Sequence, residues 1–205
     1  MPARNVVKEY APDSYYHVYN RGVNKRTIFA DGADYIVFLN LLKKRLSKEP
    51  TVDKYGRQAP HYKGEIELLA FCLMPNHFHL LLYQHDDSKA IAKLLQSVCT
   101  AYTMYFNRKH KRVGKLFQGN FKGSRVTSDE YLQHISRYIH LNPGDYKKYE
   151  WSSLPYYLGN QRAEWLEPTR ILELFEGDSY HRFLEDYEDY KESLDEIKYE
   201  LANNL

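Results

Sequence analysis

Two apolar runs, Ile66–Leu73 and His77–Tyr83, are separated by only Met74-Pro75-Asn76. Each run is shorter than a typical globular helix, and Pro75 blocks any helix from passing through the junction. The spacing predicts two adjacent antiparallel strands joined by a tight turn. A chain built around such a hairpin must cover at least one apolar face of a sheet, so the flanking segments have to supply that cover.

The flanking segments have the periodicity for it. Residues 15–21 (YYHVYNR) mix aromatic and β-branched residues and end at Gly22, a strand-and-turn pattern. Asp34 to Leu46 places Phe38, Leu41, Leu42 and Leu46 on one helical stripe. Ser88 to Phe106 does the same with Ile91, Leu94, Leu95, Val98, Tyr102 and Tyr105. Leu116–Val126 reads as a further strand. Thr127-Ser128-Asp129-Glu130 has the form of a capping box, with Thr127 as N-cap and Val126 and Tyr131 as its staple. The helix that follows runs to about Asn142, before Pro143 and Gly144.

The resulting order is βαββαβ followed by a helix. It predicts an α+β fold with a ferredoxin-like or RRM-like antiparallel sheet, helices on one face and the other face free for a ligand. Residues 1–160 are expected to form this domain and 161–205 an acidic helical C-terminal extension. In the latter, Phe183, Tyr187, Tyr190, Leu194, Ile197 and Leu201 form a heptad-like stripe. That stripe is too short to establish a coiled coil, and it suits either docking on its own domain or dimerisation.

Composition narrows the class. No apolar run approaches the ~20 residues of a membrane span, and the opening residues MPARNVVKEY lack a signal-peptide core. A cytoplasmic protein with no membrane partner is expected. Cys72 and Cys99 sit in apolar segments without a CxxC pairing, which suits buried thiols. The net charge of +2 hides an asymmetry: residues 1–127 carry 21 Lys+Arg against 10 Asp+Glu, and residues 128–205 carry 8 against 17. A basic body suits a polyanionic partner, although a solvated basic face explains the charge equally well.

Three groups of residues carry chemical potential. His77 and His79 stand at i and i+2 of a strand, on one face, with Phe78 on the other. They can converge on one cation, yet an HxH pair alone is more often incidental. Tyr138 and Asn142 lie one turn apart on the helix that follows residue 128. There Asn142 can add an oxygen ligand and Tyr138 can stand beside whatever the cation binds; on spacing alone, a core aromatic and a helix-terminal residue are the plainer reading. A divalent cation would make a phenol, ordinarily of pKa about 10, competent to attack phosphorus. Finally, Arg108, Lys109, Lys111, Arg112, Lys115, Lys122 and Arg125 form a cationic run with no acid, interleaved with Phe106, Phe117 and Phe121. Such a run can track phosphates and stack bases, or simply be solvated.

Five stretches in order, YHVYNRG (16–22), MPNHFHLLL (74–82), AYTMYFNRKHKRVGKLFQGNFKG (101–123), YLQHISRYIHLNPGDY (131–146) and WSSLPYYLG (151–159), resemble the REP-associated tyrosine transposases. These are relatives of the single-tyrosine HUH transposases of insertion sequences. The resemblance implies His77, His79 and Asn142 as metal ligands and Tyr138 as nucleophile. It further implies magnesium or manganese, a single-stranded substrate next to a DNA hairpin, and a 5′-phosphotyrosine intermediate. Arg21 and the cationic run would contact DNA, and the protein would act as a monomer or homodimer. Asn120 stands where the family pattern carries arginine, which removes one cation from the substrate contacts.

Two other readings use the same residues. A non-catalytic single-stranded nucleic-acid-binding module of RRM-like fold needs the basic and aromatic residues but not His77, His79 or Asn142. A zinc hydrolase uses the two histidines but lacks a third histidine or a placed Glu base near them. Among the 20 tyrosines, the rivals to Tyr138 are Tyr131, Tyr102 and Tyr105.

Overall fold

The computed structural model describes residues 10–52, 55–177 and 179–186. Four antiparallel strands form the sheet: β1 (Ser14–Arg21), β2 (Ile66–Met74), β3 (His77–Gln84) and β4 (Lys122–Val126), in spatial order β2-β3-β1-β4. Helices α1 (Gly32–Leu46) and α2 (Ala90–Lys109) provide the two crossovers, and α3 (Asp129–His140) follows β4. This is the ferredoxin-like arrangement expected from the pattern. The β2–β3 turn is as tight as its sequence demands, because Met74 pairs directly with His77 across Pro75-Asn76.

Alternation along the strands sorts side chains to two faces. Tyr16 and Val18 of β1, Phe78, Leu80 and Leu82 of β3, and Phe71 and Leu73 of β2 face α1 and α2. There they meet Phe38, Leu42 and Leu46 of α1 and Ile91, Leu94, Leu95, Val98 and Tyr102 of α2, all buried. Burying a side chain of this size contributes roughly 1.5–3 kcal/mol, so this layer is the main source of stability. The α1 N-terminus is closed by Asp31, which accepts from the Asp34 amide at 3.2 Å, while Asp34 accepts from the Ala30 amide at 2.8 Å.

The opposite face is not free, contrary to expectation. Tyr19, Ala70, Cys72, Leu81 and Val126 on that face pack against Leu132, Ile135 and Ile139 of α3. An amphipathic helix has to bury its stripe, and this side of the hairpin is itself apolar, so α3 lies across it. A ligand on this side of the sheet therefore meets α3 as well as the strands. The start of α3 also differs: Ser128, not Thr127, is the N-cap, accepting from the Tyr131 amide at 3.2 Å. The helix is thereby set one residue later than the Thr127–Glu130 box requires. β4 is shorter than the expected 116–126 strand, although Phe117 still bridges to Gly22.

Residues 151–153 extend the sheet edge. The Ser153 amide donates to the Phe71 carbonyl and the Leu73 amide to the Trp151 carbonyl, both at 2.9 Å. Beyond them come three short helices, α4 (Leu154–Tyr157), α5 (Thr169–Leu172) and α6 (Ser179–Glu185). Trp165 and Leu166 join the first core, whereas Ile171, Tyr180 and Leu184 join the second. Phe183 packs on α3 under the Arg137 guanidinium, 4.1 Å from the ring centre; the rest of the heptad-like stripe, from Tyr187 on, lies outside the described residues. Among the described residues no helix is long and apolar enough to cross a membrane.

Candidate active site

The register of the sheet and the position of α3 bring His77, His79, Tyr138 and Asn142 together. Tyr19 of β1 and Cys72 of β2 are directly opposite His79, and Arg21 and Met74 are opposite His77. Both histidines consequently point to the face that α3 covers. The His77 and His79 rings are edge-on, with centroids 5.0 Å apart. Tyr138, in the last turn of α3, presents its ring edge-on to His79 at 5.4 Å. Asn142 lies just beyond the end of α3, and its Oδ1 is 3.2 Å from His77 Nε2.

Burial sets the electrostatics. Tyr138 is 8% exposed, and desolvation pushes its phenol up to about 12; a side-chain hydrogen bond with Asn142 pulls the other way. With Oδ1 turned to His77, the Asn142 NH2 is the group left to donate to the phenol oxygen. Burial holds both imidazoles below their usual pKa. For His77 the Asn142 side chain opposes it and the charge of Arg21 adds to it; for His79, lowered most strongly, the neighbouring His17 and His77 are the secondary cause. Near neutral pH both rings are therefore neutral, the form in which imidazole acts as a ligand.

Neutral His77 fits a cation. Its Nδ1 is 2.6 Å from Asn76 Oδ1, which can only accept, so Nδ1 carries the proton and Nε2 keeps a lone pair. That lone pair faces the Asn142 oxygen, another acceptor. Adjacent ligands of an octahedral ion bound at ~2.1 Å are about 3 Å apart, close to the observed 3.2 Å. Among the described residues no three His, Cys, Asp or Glu side chains gather as a metal site. The local donor set is therefore two imidazoles and a carboxamide.

A cavity of about 250 Å³ opens onto this cluster, lined by Tyr19, Asn20, Arg21, Lys25, Asn76, His77, His79 and Tyr138. A larger cleft of about 790 Å³ lies between α4 and α6 and contains none of these residues. The smaller one is the candidate site, because it is the one that His77, His79 and Tyr138 line.

The basic residues predicted to meet DNA stand at different distances from this cavity. Arg21 lines the cavity and donates from Nε to Gln118 Oε1 at 2.7 Å. Lys122 lies across from Tyr19, and burial, then the charge of Arg21, lowers its ammonium pKa. Lys109 is committed elsewhere: its ammonium binds Asp31 at 2.5 Å and Asp34 at 2.7 Å. Arg112 donates to Asn107 Oδ1 at 2.8 Å and stands over the Phe106 ring. Lys115 borders a separate groove with Thr103 and Met104. Arg108, Lys111 and Arg125 are exposed outside the cavity.

Lys25, Asn20, Asn76, Tyr19 and His17 were not singled out from the sequence. Lys25 reaches the cavity because residues 22–26 fold tightly: a Cβ at Gly22 would collide with the Arg26 carbonyl oxygen, and Asn24 and Lys25 both adopt left-handed φ. His17, Tyr19 and Arg21 share one strand face, a signal available from the period of two. Among the tyrosines weighed against Tyr138, Tyr102 is on the other face of the sheet, its hydroxyl donating to the Ile28 carbonyl at 2.5 Å.

Comparison with known proteins gives a family and a similar fold. The sequence model of the family described as IS200-like transposases matches residues 36–142, just over half of the chain and ending at Asn142. The fold is similar to a solved structure of a REP-associated tyrosine transposase bound to a REP hairpin. That similarity has a TM-score of 0.51 at 13% identity, over 78% of this chain and 90% of that one. No match was found among curated proteins.

Proposed function

This chain belongs to the family of IS200-like transposases, and from that premise we propose that it cuts and rejoins single-stranded DNA beside hairpins, with Tyr138 as nucleophile. The observation that carries the reading is the position of Asn142, whose Oδ1 lies 3.2 Å from His77 Nε2 one helical turn after Tyr138, whose ring meets His79 edge-on at 5.4 Å. The hairpin preference draws on the structural relative, which is bound to one.

His77, His79 and Asn142 would hold magnesium or manganese. Such an ion, when bound, supplies positive charge that polarises a phosphate oxygen and favours the phenolate. The chain's own groups do the rest. Tyr138 gives up its proton and its oxygen bonds to phosphorus as the P–O3′ bond breaks; the departing 3′ oxygen takes up a proton. The product is a 5′-phosphotyrosine and a free 3′-hydroxyl, with no net change in phosphodiester bonding energy that would demand a nucleotide cofactor. Attack by a 3′-hydroxyl reverses the step. Asn142 steadies the phenol oxygen through its NH2, and the low exposure of Tyr138 keeps water from competing for the intermediate. Arg21 and Lys25 line the cavity and Lys122 lies near Arg21, cations suited to the flanking phosphates.

The reading is tested by incubating the full-length protein with hairpin-bearing single strands and manganese, then resolving cleaved and rejoined strands on a denaturing gel. Wild type is expected to yield both products and Tyr138→Phe neither. Cleavage that persists in Tyr138→Phe would remove the phenol from the chemistry.

A further inference from the structure

His17 stands directly behind His79 on the neighbouring strand. The two rings are 20° from parallel with centroids 5.0 Å apart, and His17 Nε2 lies 2.9 Å from His79 Nδ1. Both residues are buried, at 1% and 4% exposure. A single proton occupies the contact, and its owner decides what His79 can do. If His17 Nε2–H donates, the neutral His79 ring carries its own proton on Nε2 and offers that nitrogen no lone pair. If His79 Nδ1–H donates, Nε2 of His79 is free to bind a cation from the cavity side.

The second arrangement has a cost visible in the structure. It places the His17 proton on Nδ1, a buried nitrogen with no hydrogen-bond partner. A buried unpaired N–H is unfavourable, so the metal-free pair prefers the first arrangement and a cation at His79 favours the second. We propose that His17 is a positioning residue: in the cation-bound state it accepts the Nδ1 proton of His79, fixing both the tautomer and the ring direction of that ligand. The inference rests on the reading of His77, His79 and Asn142 as cation ligands. His17 is not among the residues lining the cavity, and its ring also meets those of Tyr19 and Tyr138.

The test uses full-length protein without DNA. Manganese is titrated and free ion followed by electron paramagnetic resonance, for wild type, His17→Leu, His17→Gln and the His77→Ala/His79→Ala double variant. His17→Leu, which has no acceptor, is expected to bind 10- to 100-fold more weakly. His17→Gln, whose carbonyl oxygen can accept, is expected to recover most of that loss. In ¹⁵N-labelled wild type saturated with magnesium, His79 is expected to carry its proton on Nδ1, with a scalar coupling across the hydrogen bond to His17 Nε2. A His79 proton on Nε2 in that state overturns the proposal without recourse to any variant. Manganese affinity in His17→Leu within twofold of wild type, while the double variant loses binding, overturns the role of His17 and leaves the ligand reading standing. If wild type binds no better than the double variant, the ligand reading fails and the role of His17 fails with it.

Discussion

Asn142 Oδ1 lies 3.2 Å from His77 Nε2, linking the end of α3 to the first residue of β3. The two residues are 65 positions apart in sequence, so this contact is where the helix of Tyr138 and the imidazole strand meet. Asn142→Leu removes the oxygen and the amide together. It is expected to lower manganese affinity by at least tenfold and to abolish cleavage, while thermal stability stays within a few degrees of wild type. Equilibrium dialysis and a melting curve on the same sample check this. Unchanged metal affinity would place the third ligand elsewhere.

The phenol of Tyr138 is held at about 12, first by burial. A raised phenol pKa means the reactive phenolate is scarce at neutral pH and grows with alkalinity. The single-turnover cleavage rate under subsaturating manganese should therefore rise with pH between 7 and 9, approaching roughly tenfold per unit where deprotonation limits the rate. A flat profile would mean that a step other than deprotonation, such as DNA opening, limits the rate.

His140, two residues after Tyr138, turns away from the cavity into the second core. Its Nδ1 is 2.6 Å from the Tyr180 hydroxyl and its Nε2 2.7 Å from Ser153 Oγ. Burial lowers its pKa to about 3. The unfolded chain, with an ordinary histidine pKa near 6.5, binds a proton that the folded chain refuses. Stability from this group is thus complete above about pH 6.5 and is lost as pH falls toward 3. By pH 5 the loss is about 2 kcal/mol. Urea unfolding at pH 7 and pH 5 should show it, and His140→Gln should flatten the dependence by that amount.

Cations near and far from the cavity should separate in binding experiments. Arg21→Ala and Lys122→Ala are each expected to weaken single-stranded DNA binding and reduce the salt slope by about 1. Lys109→Ala should leave affinity within twofold, because its ammonium is already engaged by Asp31 and Asp34. Its effect should be a lower melting temperature, since the buried Asp34 would lose its ammonium partner. Fluorescence anisotropy across salt concentrations checks all three.

Ile135 is fully buried between α3 and the sheet. Ile135→Ala should cost about 2–5 kcal/mol and slow cleavage as well, because the same packing sets where Tyr138 and Asn142 stand. Circular dichroism during chemical unfolding and the cleavage assay together measure both effects.

Much of this was readable from sequence, for local reasons. The HFH strand, the tight Pro75-Asn76 turn and the Tyr138–Asn142 spacing are set by near neighbours, and period-two and helical geometry carry them into three dimensions. What escaped depends on contacts distant in sequence. That α3 covers the second sheet face follows from how two apolar surfaces meet, which no window along the chain reveals. The pairing of Lys109 with Asp31 and Asp34 needs α2 to end beside the start of α1. The cationic run from Arg108 to Arg125 looks like one feature because it is continuous in sequence, yet the fold scatters it and leaves Lys122 of that run near Arg21, while Arg21 and Lys25 line the cavity. The place of His17 was half visible: its strand was recognised, but its partner His79 is fixed only by the pairing of β1 with β3.

The central claim is that Tyr138 forms the covalent link to DNA. Its most direct test is to trap the adduct on a hairpin-bearing single strand with manganese, digest protein and DNA, and locate the modified peptide by mass spectrometry. The account predicts a nucleotide-5′-phosphate on Tyr138, absent when His77 and His79 are replaced by alanine. A phosphotyrosine on Tyr19, the other tyrosine lining the cavity, or on any other residue would contradict it.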